Sequence, residues 1–537
     1  MIENFRILQD RPWFRYWPED VPQTLDYPEI PLFSLLSQAA EKWSDSTAFS
    51  YEEQRLSYKE LDDMTDRLAS GLRSLGINTG DRVVLFLGNC LDFVMGYYGI
   101  LKAGATVTTV NPLSREIELR HQLGDTCATA IITSSDFYPL VKEVKTGTAL
   151  KTIILTDKEK ESGTVSLKHM LENPSLTLPE LDITPYEDVA AIVYTGGTTG
   201  LSKGVLLTHH NLVANAIQNS SWFGWSQKDV VIGVLPFYHS WGGCTCLNSP
   251  VFSGARVVII PRFDPDEMLM TIERERATVM YGAASMFTSL INSSAITGYD
   301  ISSLRYVKSG AMPTPSEVKQ RWEQLTGVPM VLGYGLSESS PEACNSPLQR
   351  IKPGTIGIPA IDTDARIVDE QTGEIEKSTG QIGELIIRGP QVMKGYLNQP
   401  EDTREALRNG WLYTGDLAMM DDEGYFHALD RKKETIKYKG YTIAPAEVEA
   451  ILYEHPAVRE CAVIGKPDNL SGEIPKAFVV LKTGQSAEAT EIISFCADKI
   501  APYKRIREVE FIEEIPKTPV GKLLRRVLRD RERDNLS

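Results

Sequence analysis

The apolar positions of residues 57–76 recur at helical spacing behind a polar start signal. Ser57 and Glu60 have the spacing of a capping box, in which each side chain bonds the backbone N–H of the other residue. The apolar residues that follow are Leu61, Met64, Leu68, Leu72 and Leu75, and Gly76 comes next. This pattern predicts an amphipathic helix that starts at the capping box and ends at the glycine.

The next stretch alternates short apolar runs with a helical segment. Residues 82–87 and 105–110 are predicted to be strands, with a helix at 91–102 between them. A strand–helix–strand unit implies a parallel sheet, because its two strands run in the same direction. Further strand-like runs lie at 130–133, 152–155, 230–235 and 256–260. The fold class is therefore predicted to be α/β.

The pattern of apolar, glycine and charged residues changes at two places, and these places divide the chain. Beyond residue 350, short β-rich runs at 365–368 and 383–388 indicate a small β subdomain. Residues 431–433 form a charged junction, after which a compact α/β pattern begins. Its predicted elements are helices at 445–453 and 489–499 and strands at 460–464 and 477–481. Because 537 residues are too many for one ordinary core, we expect a large N-terminal domain at 1–429 and a small mobile domain at 430–537.

Charge and cysteine content exclude several classes of protein. The chain has 72 acidic and 56 basic residues, a formal net charge of −16, which argues against general nucleic-acid binding. Seven scattered cysteines are typical of reduced thiols, so we expect a cytoplasmic protein. The start of the chain lacks a signal-peptide pattern, and no uncharged apolar run reaches about 18 residues. Any membrane contact is therefore expected to be peripheral.

A glycine-rich stretch at 194–204 has the composition of a phosphate-binding loop. It follows an apolar run, and its sequence is Tyr-Thr-Gly-Gly-Thr-Thr-Gly-Leu-Ser-Lys-Gly. Glycines let successive backbone N–H groups curl around an anion, and the hydroxyls and the lysine add donors and charge. A Walker A loop is excluded, because Lys203 precedes Gly204 where that motif needs serine or threonine. A solvated linker is the alternative.

Four further clusters combine polar and aromatic residues that suit a nucleotide. Residues 334–338 follow an apolar run and place a tyrosine near a carboxylate, a pair that suits base stacking and Mg²⁺. Residues 413–416 form a turn ending in an acid of the kind that binds ribose hydroxyls. Residues 235–241 are aromatic, and residues 516–522 form a Pro/Gly-interrupted loop that ends in lysine. Taken singly, these clusters have ordinary alternatives: surface turns, a helix-capping acid, core packing and a solvated basic tail.

In this order, the clusters resemble the motifs of the adenylate-forming superfamily, which includes acyl-CoA synthetases, luciferases and adenylation domains. The resemblance extends from about residue 32 to residue 526, and its motifs lie at 194–204, 334–338, 413–416, 430–447 and 516–522. Residues 409–416 and 430–433 look most like fatty acyl-CoA and aryl-CoA ligases. Residues 12–18 also resemble long-chain fatty acid ligases. One departure is Ser337, where the family usually has threonine.

The resemblance implies an enzyme that joins a carboxylic acid to coenzyme A with ATP. The carboxylate would attack the α-phosphorus of Mg-ATP, giving an acyl-adenylate and pyrophosphate, and the CoA thiol would then displace AMP. Implied phosphate contacts are Thr195, Gly196, Gly197, Thr198, Thr199, Lys203 and Ser337; implied adenine contacts are Ser309, Gly310, Ala311 and Tyr334. Implied ribose contacts are Asp416 and Arg431, and the implied Mg²⁺ ligand is Glu338. Lys522 would bridge the acid and the α-phosphate. His239 would lie at the boundary between the acyl and CoA sites, and Trp241 and Gly242 would shape the acyl pocket.

The resemblance further implies that the small domain rotates between the two half-reactions. Lys433 aligns with the hinge of the family. After the rotation Lys437, Lys439 and Gly440 would face the site, and Gly440 would leave room for the pantetheine. A solvated charged strand is the alternative for the two lysines.

Several functional alternatives stay open at this stage. We expect a medium- to long-chain fatty acid as substrate, and aryl or short branched acids are the alternative. A stand-alone adenylation enzyme that loads a carrier protein is another. A non-catalytic protein that binds acyl groups or nucleotides is a third, and the presence of Lys522, Glu338 and Asp416 argues against it.

Overall fold

The computed structural model describes residues 11–158, 161–172, 178, 180–195, 202–311, 314–432, 434–438, 441–443, 445–468, 471–497, 499–500, 502–517 and 523–534. Its strands, in chain order, are β1 (Thr47–Tyr51), β2 (Gln54–Ser57), β3 (Arg82–Phe86), β4 (Thr106–Thr109), β5 (Ala130–Thr133), β6 (Thr152–Leu155), β7 (Val165–Ser166), β8 (Val189–Thr195), β9 (Lys203–Thr208), β10 (Val230–Gly233), β11 (Arg256–Ile259), β12 (Val279–Ala283), β13 (Tyr306–Gly310), β14 (Met330–Gly335), β15 (Glu342–Asn345), β16 (Ile358–Pro359), β17 (Asp364–Val368), β18 (Gly383–Arg388), β19 (Gly395–Tyr396), β20 (Leu407–Arg408), β21 (Trp411–Met420), β22 (Phe426–Arg431), β23 (Ile436–Tyr438), β24 (Tyr441–Ile443), β25 (Val458–Asp468), β26 (Gly472–Leu481) and β27 (Glu508–Phe511).

The α-helices are α1 (Ser34–Lys42), α2 (Tyr58–Ser74), α3 (Leu91–Lys102), α4 (Glu116–Thr126), α5 (Tyr138–Val144), α6 (Leu167–Glu172), α7 (His209–Trp222), α8 (Ser240–Gly242), α9 (Ser249–Ser253), α10 (Pro265–Glu275), α11 (Ala284–Asn292), α12 (Ser316–Thr326), α13 (Pro400–Ala406), α14 (Pro445–Tyr453), α15 (Ala489–Ala497) and α16 (Arg525–Asp534). A π-helical stretch, Gly243–Asn248, joins α8 to α9. The predicted capping box is present, because the Ser57 hydroxyl accepts from the backbone N–H of Glu60 and the Glu60 carboxylate accepts from that of Ser57.

Two large, mostly parallel sheets form the first part of the chain, which confirms the α/β prediction. One has the strand order β16-β15-β14-β13-β12-β10-β11-β1-β2, and the other has the order β19-β9-β8-β4-β3-β5-β6-β7. The predicted strand–helix–strand unit is β3, α3 and β4, with β3 and β4 parallel. Helix α3 contacts strands of both sheets and is buried on all its faces. The largest core therefore lies between the two sheets.

Helix α7 is also buried on nearly every face, although its sequence is rich in polar residues. Its amide side chains bond carbonyls of distant segments: Asn211 donates to Pro390, Asn215 to Glu342 and Gln218 to Ile361. Buried amides are tolerated where their hydrogen bonds are made. These bonds tie the centre of the core to the segments that surround the site.

Two smaller sheets complete the fold. The first is antiparallel, with the order β17-β18-β21-β20 and β22 paired to β21, and it corresponds to the predicted β subdomain. The second has the order β24-β23-β26-β25 with β27 beside β26, and it has its own apolar core. Strand β22 continues to Arg431 in the first of these sheets, and β23 begins at Ile436. The domain boundary near residue 430 remains a prediction.

The cysteines agree with the expectation of reduced thiols. All seven are free, and Cys244 and Cys246 are buried. Burial raises the pKa of the Cys246 thiol to about 12. Within the described ranges, no helix combines the length and the apolar character that a membrane span requires.

Candidate active site

The glycine-rich loop connects two antiparallel neighbours, β8 and β9. Thr195, the last residue of β8, is in register with Lys203, the first residue of β9. The predicted contacts Gly196, Gly197, Thr198 and Thr199 lie outside the described residues. Lys203 pairs with Asp402 of α13 at 2.7 Å, and its ammonium lies 5.2 Å from the ring centroid of Tyr396. The hairpin thus presents a lysine and a threonine at the base of the loop.

Glu338 lies close to the same tyrosine. It belongs to a short 3₁₀ turn that follows β14, and its Oε1 accepts a hydrogen bond from the Tyr396 hydroxyl at 2.8 Å. Burial and the nearby Glu338 carboxylate raise the pKa of Tyr396, so its hydroxyl stays a donor. Tyr396 therefore connects the base of the loop with the predicted Mg²⁺ ligand. Tyr396 lies outside the five sequence motifs, so no local pattern pointed to it.

A second carboxylate, Asp416, is bound by two of the predicted site residues. The Tyr334 hydroxyl donates to its Oδ2, and the Arg431 guanidinium pairs with its Oδ1 at 2.7 Å. Burial and Asp416 raise the pKa of Tyr334 well above its usual value. Burial alone would lower the pKa of Arg431, but the surrounding Asp416, Tyr334 and Glu338 oxygens raise it. The arrangement keeps a fixed cation and an oriented carboxylate side by side.

Ser337 faces the start of α8. Its hydroxyl lies 3.1 Å from that of Ser240, and both side chains are buried. His239 precedes Ser240 and caps α8 by accepting the backbone N–H of Trp241 through Nδ1 at 3.2 Å. The predicted acyl-boundary residue His239 therefore lies near the predicted α-phosphate contact Ser337.

The glycines around Trp241 are required by close packing. A Cβ atom on Gly310 would lie 3.0 Å from the indole of Trp241, so a larger residue there would press against the ring, which rests on β13. A Cβ atom on Gly242 would lie 2.0 Å from the carbonyl oxygen of Pro236. Ala311, next to Gly310, has a positive φ of 66°, which is uncommon for a non-glycine residue. Ala311 is itself one of the predicted adenine contacts.

A small cavity of about 20 Å³ lies beside His239 and Ser240. Its walls are mostly apolar and come from α3, β4, β8, β9, α7 and the 237–248 segment. The lining residues are Tyr97, Thr109, Ala191, Val193, Leu207, Leu212, Phe237, Tyr238, His239, Ser240, Gly243, Cys244 and Asn248. Trp241 and Gly242 are not part of this lining; the Trp241 indole lies instead against Gly310 and Tyr281.

The predicted site residues of the C-terminal part are mostly outside the described ranges. Lys433, Lys439, Gly440 and Lys522 fall there, and Lys437 is placed only through its backbone, in β23 opposite Thr442. Their neighbours form a buried cluster in which Arg525 pairs with both Glu434 and Glu449. Arg525 follows the 516–522 loop and Glu434 follows the predicted hinge residue. The cluster therefore links the chain on either side of these two segments.

The positions of the described residues converge on one region. β8, β13 and β14 end in the predicted contacts Thr195, Gly310 and, just past the last strand, Glu338. In open α/β sheets, ligands bind in the crevice outside the carboxyl ends of the strands. A nucleotide phosphate, a carboxylate and a cation are all chemically suited to such a set of donors and acids. The site thus has the character of a nucleotide-binding centre beside an apolar cavity.

Comparison with known proteins agrees with a nucleotide-binding site. The model of the AMP-binding enzyme family matches residues 36–397, and that of the AMP-binding enzyme C-terminal domain matches residues 447–522. The chain therefore belongs to the AMP-binding enzyme family.

Individual relatives extend along nearly the whole chain. It is 39% identical to a long-chain-fatty-acid–CoA ligase of Bacillus subtilis, covering 98% of this chain and 99% of that protein. A long-chain-fatty-acid–CoA ligase of Escherichia coli O157:H7 is 35% identical, with 97% and 98% covered. Among solved structures, ATP-bound MatB from Rhodopseudomonas palustris superposes with a TM-score of 0.87 at 28% identity, with 95% and 100% covered.

Proposed function

We propose that this protein is an ATP-dependent acid–CoA ligase that forms an acyl-adenylate and then an acyl-CoA, with medium- to long-chain fatty acids as substrates. The observation that carries the proposal is the contact between Ser337 and Ser240, which joins the predicted nucleotide contacts to the small, mostly apolar cavity beside His239 and Ser240. Relatives of nearly equal length are named long-chain-fatty-acid–CoA ligases, which supports the same substrate class.

In the proposed site, the ribose of ATP binds Asp416. Tyr334 and Arg431 already hold both oxygens of this carboxylate, so its orientation is set before the nucleotide arrives. Each carboxylate oxygen can accept a further hydrogen bond from a ribose hydroxyl. The adenine ring stacks near Tyr334 and the Gly310–Ala311 backbone.

The β- and γ-phosphates are bound by the 194–204 loop with Lys203. Glu338 is the proposed ligand for Mg²⁺, and its donor chemistry fits, because Mg²⁺ is commonly bound through one or two carboxylates together with substrate phosphates. Tyr396 orients this carboxylate through Oε1. When bound, the ion would neutralise part of the negative charge of the phosphates.

The first half-reaction forms one bond and breaks one at the α-phosphorus. A carboxylate oxygen of the acid attacks, and pyrophosphate leaves with the bonding electron pair. The obstacle is the repulsion between two anions, which Lys522 reduces by contacting both; positioned cations of this kind act by electrostatic stabilisation. Ser337 contacts the α-phosphate, and the acyl chain extends from His239 into the apolar cavity.

The second half-reaction follows rotation of the small domain about Lys433. The thiol sulfur of CoA attacks the acyl carbon, its proton is lost, and AMP leaves as the anion. Lys437, Lys439 and Gly440 reach the site in this arrangement, and Gly440 leaves room for the pantetheine. The two lysines add positive charge near the CoA entry.

The experiment is a pyrophosphate-release screen over saturated acids from acetate to palmitate and over aryl acids, with and without CoA. Each methylene buried in an apolar cavity contributes about 0.8 kcal/mol, roughly a fourfold fall in KM for each added carbon until the cavity is filled. Thioester formation that requires CoA supports a ligase. Activity confined to acids of about six carbons or fewer, or confined to aryl acids, contradicts the proposed substrate class.

The catalytic lysine is tested by separating the half-reactions. Lys522→Ala is expected to lower pyrophosphate release by about 10²–10³-fold, the usual cost of removing one group that stabilises a transition state. The same variant should convert supplied acyl-adenylate and CoA to the thioester at the wild-type rate. Equal losses in the two half-reactions would contradict the assigned role.

A further inference from the structure

Helix α4 lies against the base of the 194–204 loop and contacts both of its ends. His121 is half-buried, and its Nε2 donates to the carbonyl oxygen of Ser202 at 2.8 Å. Four positions further along the helix, Asp125 accepts the hydroxyl of Tyr194 through Oδ2 at 2.8 Å. Residues with this spacing lie on one face of a helix. One face of α4 therefore bonds a residue at each end of the loop.

The aromatic ring of Tyr194 strengthens this connection. The His121 and Tyr194 rings are in edge-to-face contact, with centroids 5.9 Å apart. Burial and the bond to Asp125 raise the pKa of Tyr194, so its hydroxyl remains a donor. Tyr194 directly precedes Thr195, and it is in register with Gly204, which directly follows Lys203. A shift of the tyrosine would move both residues at the base of the loop.

A third segment fixes Asp125 itself. The side-chain amide of Asn398 donates to the backbone carbonyl and to Oδ1 of Asp125, each at 2.9 Å. Asn398 follows Leu397, whose backbone N–H bonds the carbonyl oxygen of Gly204. The Asp125 carboxylate is thus held through one oxygen by Asn398 and through the other by Tyr194. This arrangement orients Asp125 without any contribution from a ligand.

We infer that His121 and Asp125 are positioning residues that set the two ends of the phosphate loop, and with them Thr195 and Lys203, for the first half-reaction. The inference rests on the proposed function, because it takes the loop to bind the phosphates of ATP. Residues that position only this loop should affect the first half-reaction, in which the loop holds the phosphates that leave as pyrophosphate. They should have little effect once the acyl-adenylate has formed.

The test compares the two half-reactions in His121→Ala, His121→Gln and Tyr194→Phe. Glutamine keeps a donor at the position of Nε2, and phenylalanine keeps the ring while removing only the hydroxyl. His121→Ala and Tyr194→Phe are expected to raise both KM and the calorimetric Kd for ATP by about tenfold, the scale of one hydrogen bond. Conversion of supplied acyl-adenylate and CoA to thioester should stay within about twofold of wild type in the same variants. His121→Gln should restore most of the ATP affinity.

Ile117→Ala is the matched control, because Ile117 lies on the same helix with 71% of its surface exposed. Equal losses in both half-reactions, an effect of Ile117→Ala as large as that of His121→Ala, or no difference between Ala and Gln at position 121 would overturn the inference. If His121→Ala fails to fold, the nearly isosteric Tyr194→Phe gives the deciding result. A wild-type protein that releases no pyrophosphate with any acid would instead overturn the proposed function.

Discussion

A buried ion pair beneath the proposed nucleotide site gives the sharpest prediction about stability. Lys308 of β13 pairs with Glu342 of β15, and their side chains are 2% and 3% exposed. The Lys308 ammonium also donates to Asn345 and lies 5.3 Å from the ring centroid of Tyr281. Lys308→Met removes the cation while keeping the length and the apolar stem of the side chain.

The cost of this change follows from the desolvation of the carboxylate that remains. A buried charge that loses its partner typically destabilises a protein by about 3–5 kcal/mol. In the wild-type protein Glu342 Oε1 already has no hydrogen-bond partner among the described atoms, so little remains to compensate the lost cation. Replacing both residues with apolar ones removes the unpaired charge, and such replacements are often neutral or stabilising. Lys308→Met/Glu342→Leu is therefore expected to be more stable than Lys308→Met.

The assay is a double-mutant cycle measured by thermal and urea unfolding. Apparent Tm values should be compared at one scan rate, because a chain with several domains need not unfold in one step. Lys308→Met should lower the apparent Tm by roughly 6–20 °C, from the usual 2–4 °C for each kcal/mol in domains of about 200 residues. Lys352→Met is the matched control: Lys352 pairs with Asp421 but is 31% exposed, so its loss should cost less than about 1 kcal/mol.

Two results would refute this reasoning. The first is a Lys308→Met protein within about 1 kcal/mol of wild type, which would show that the pair is solvated and behaves like a surface ion pair. The second is a double variant no more stable than Lys308→Met, which would show that shape and packing dominate the cost.

Three further predictions concern ligand binding and pH. Asp402→Asn should lower KM for ATP by up to about fivefold, because Lys203 must leave its half-exposed pair with Asp402 to reach a phosphate; an unchanged or higher KM contradicts this. Asp416→Ala should weaken ATP binding by at least about tenfold in calorimetry, since it removes a charged acceptor and leaves Arg431 without its carboxylate; wild-type affinity would exclude Asp416 from the site. Burial lowers the pKa of His209 to about 4, and its neutral Nδ1 accepts a backbone N–H at 2.9 Å. In the unfolded chain this histidine takes up a proton near pH 6.5, whereas in the folded chain it stays neutral down to about pH 4. The free energy of unfolding therefore falls as the pH drops from 6.5 towards 4, and the loss at pH 5 is about 2 kcal/mol. Urea unfolding at pH 7 and pH 5 checks this, and a His209→Gln variant with the same pH dependence would contradict it.

Local patterns were enough to predict many elements of this fold. The capping box at Ser57 and Glu60 and the apolar spacing after it predicted α2, because capping and helical periodicity depend on residues a few positions apart. The helix at 445–453 has the predicted bounds, and the strand predicted at 460–464 is the middle of the longer β25. The cluster order also identified the family, since five motifs in sequence are far more specific than any one of them.

The tertiary structure decided which of these residues contact each other and what surrounds them. Helix α7 has a polar sequence and lies in the core, because its amides reach carbonyls of remote segments. Glu338 meets Tyr396, and Lys203 meets Asp402, across stretches of chain that no short pattern spans. The sequence by itself therefore determined the local elements and the chemical types present in the motifs. Partner choice, burial and the shape of the apolar cavity were decided only when the chain topology brought distant segments together.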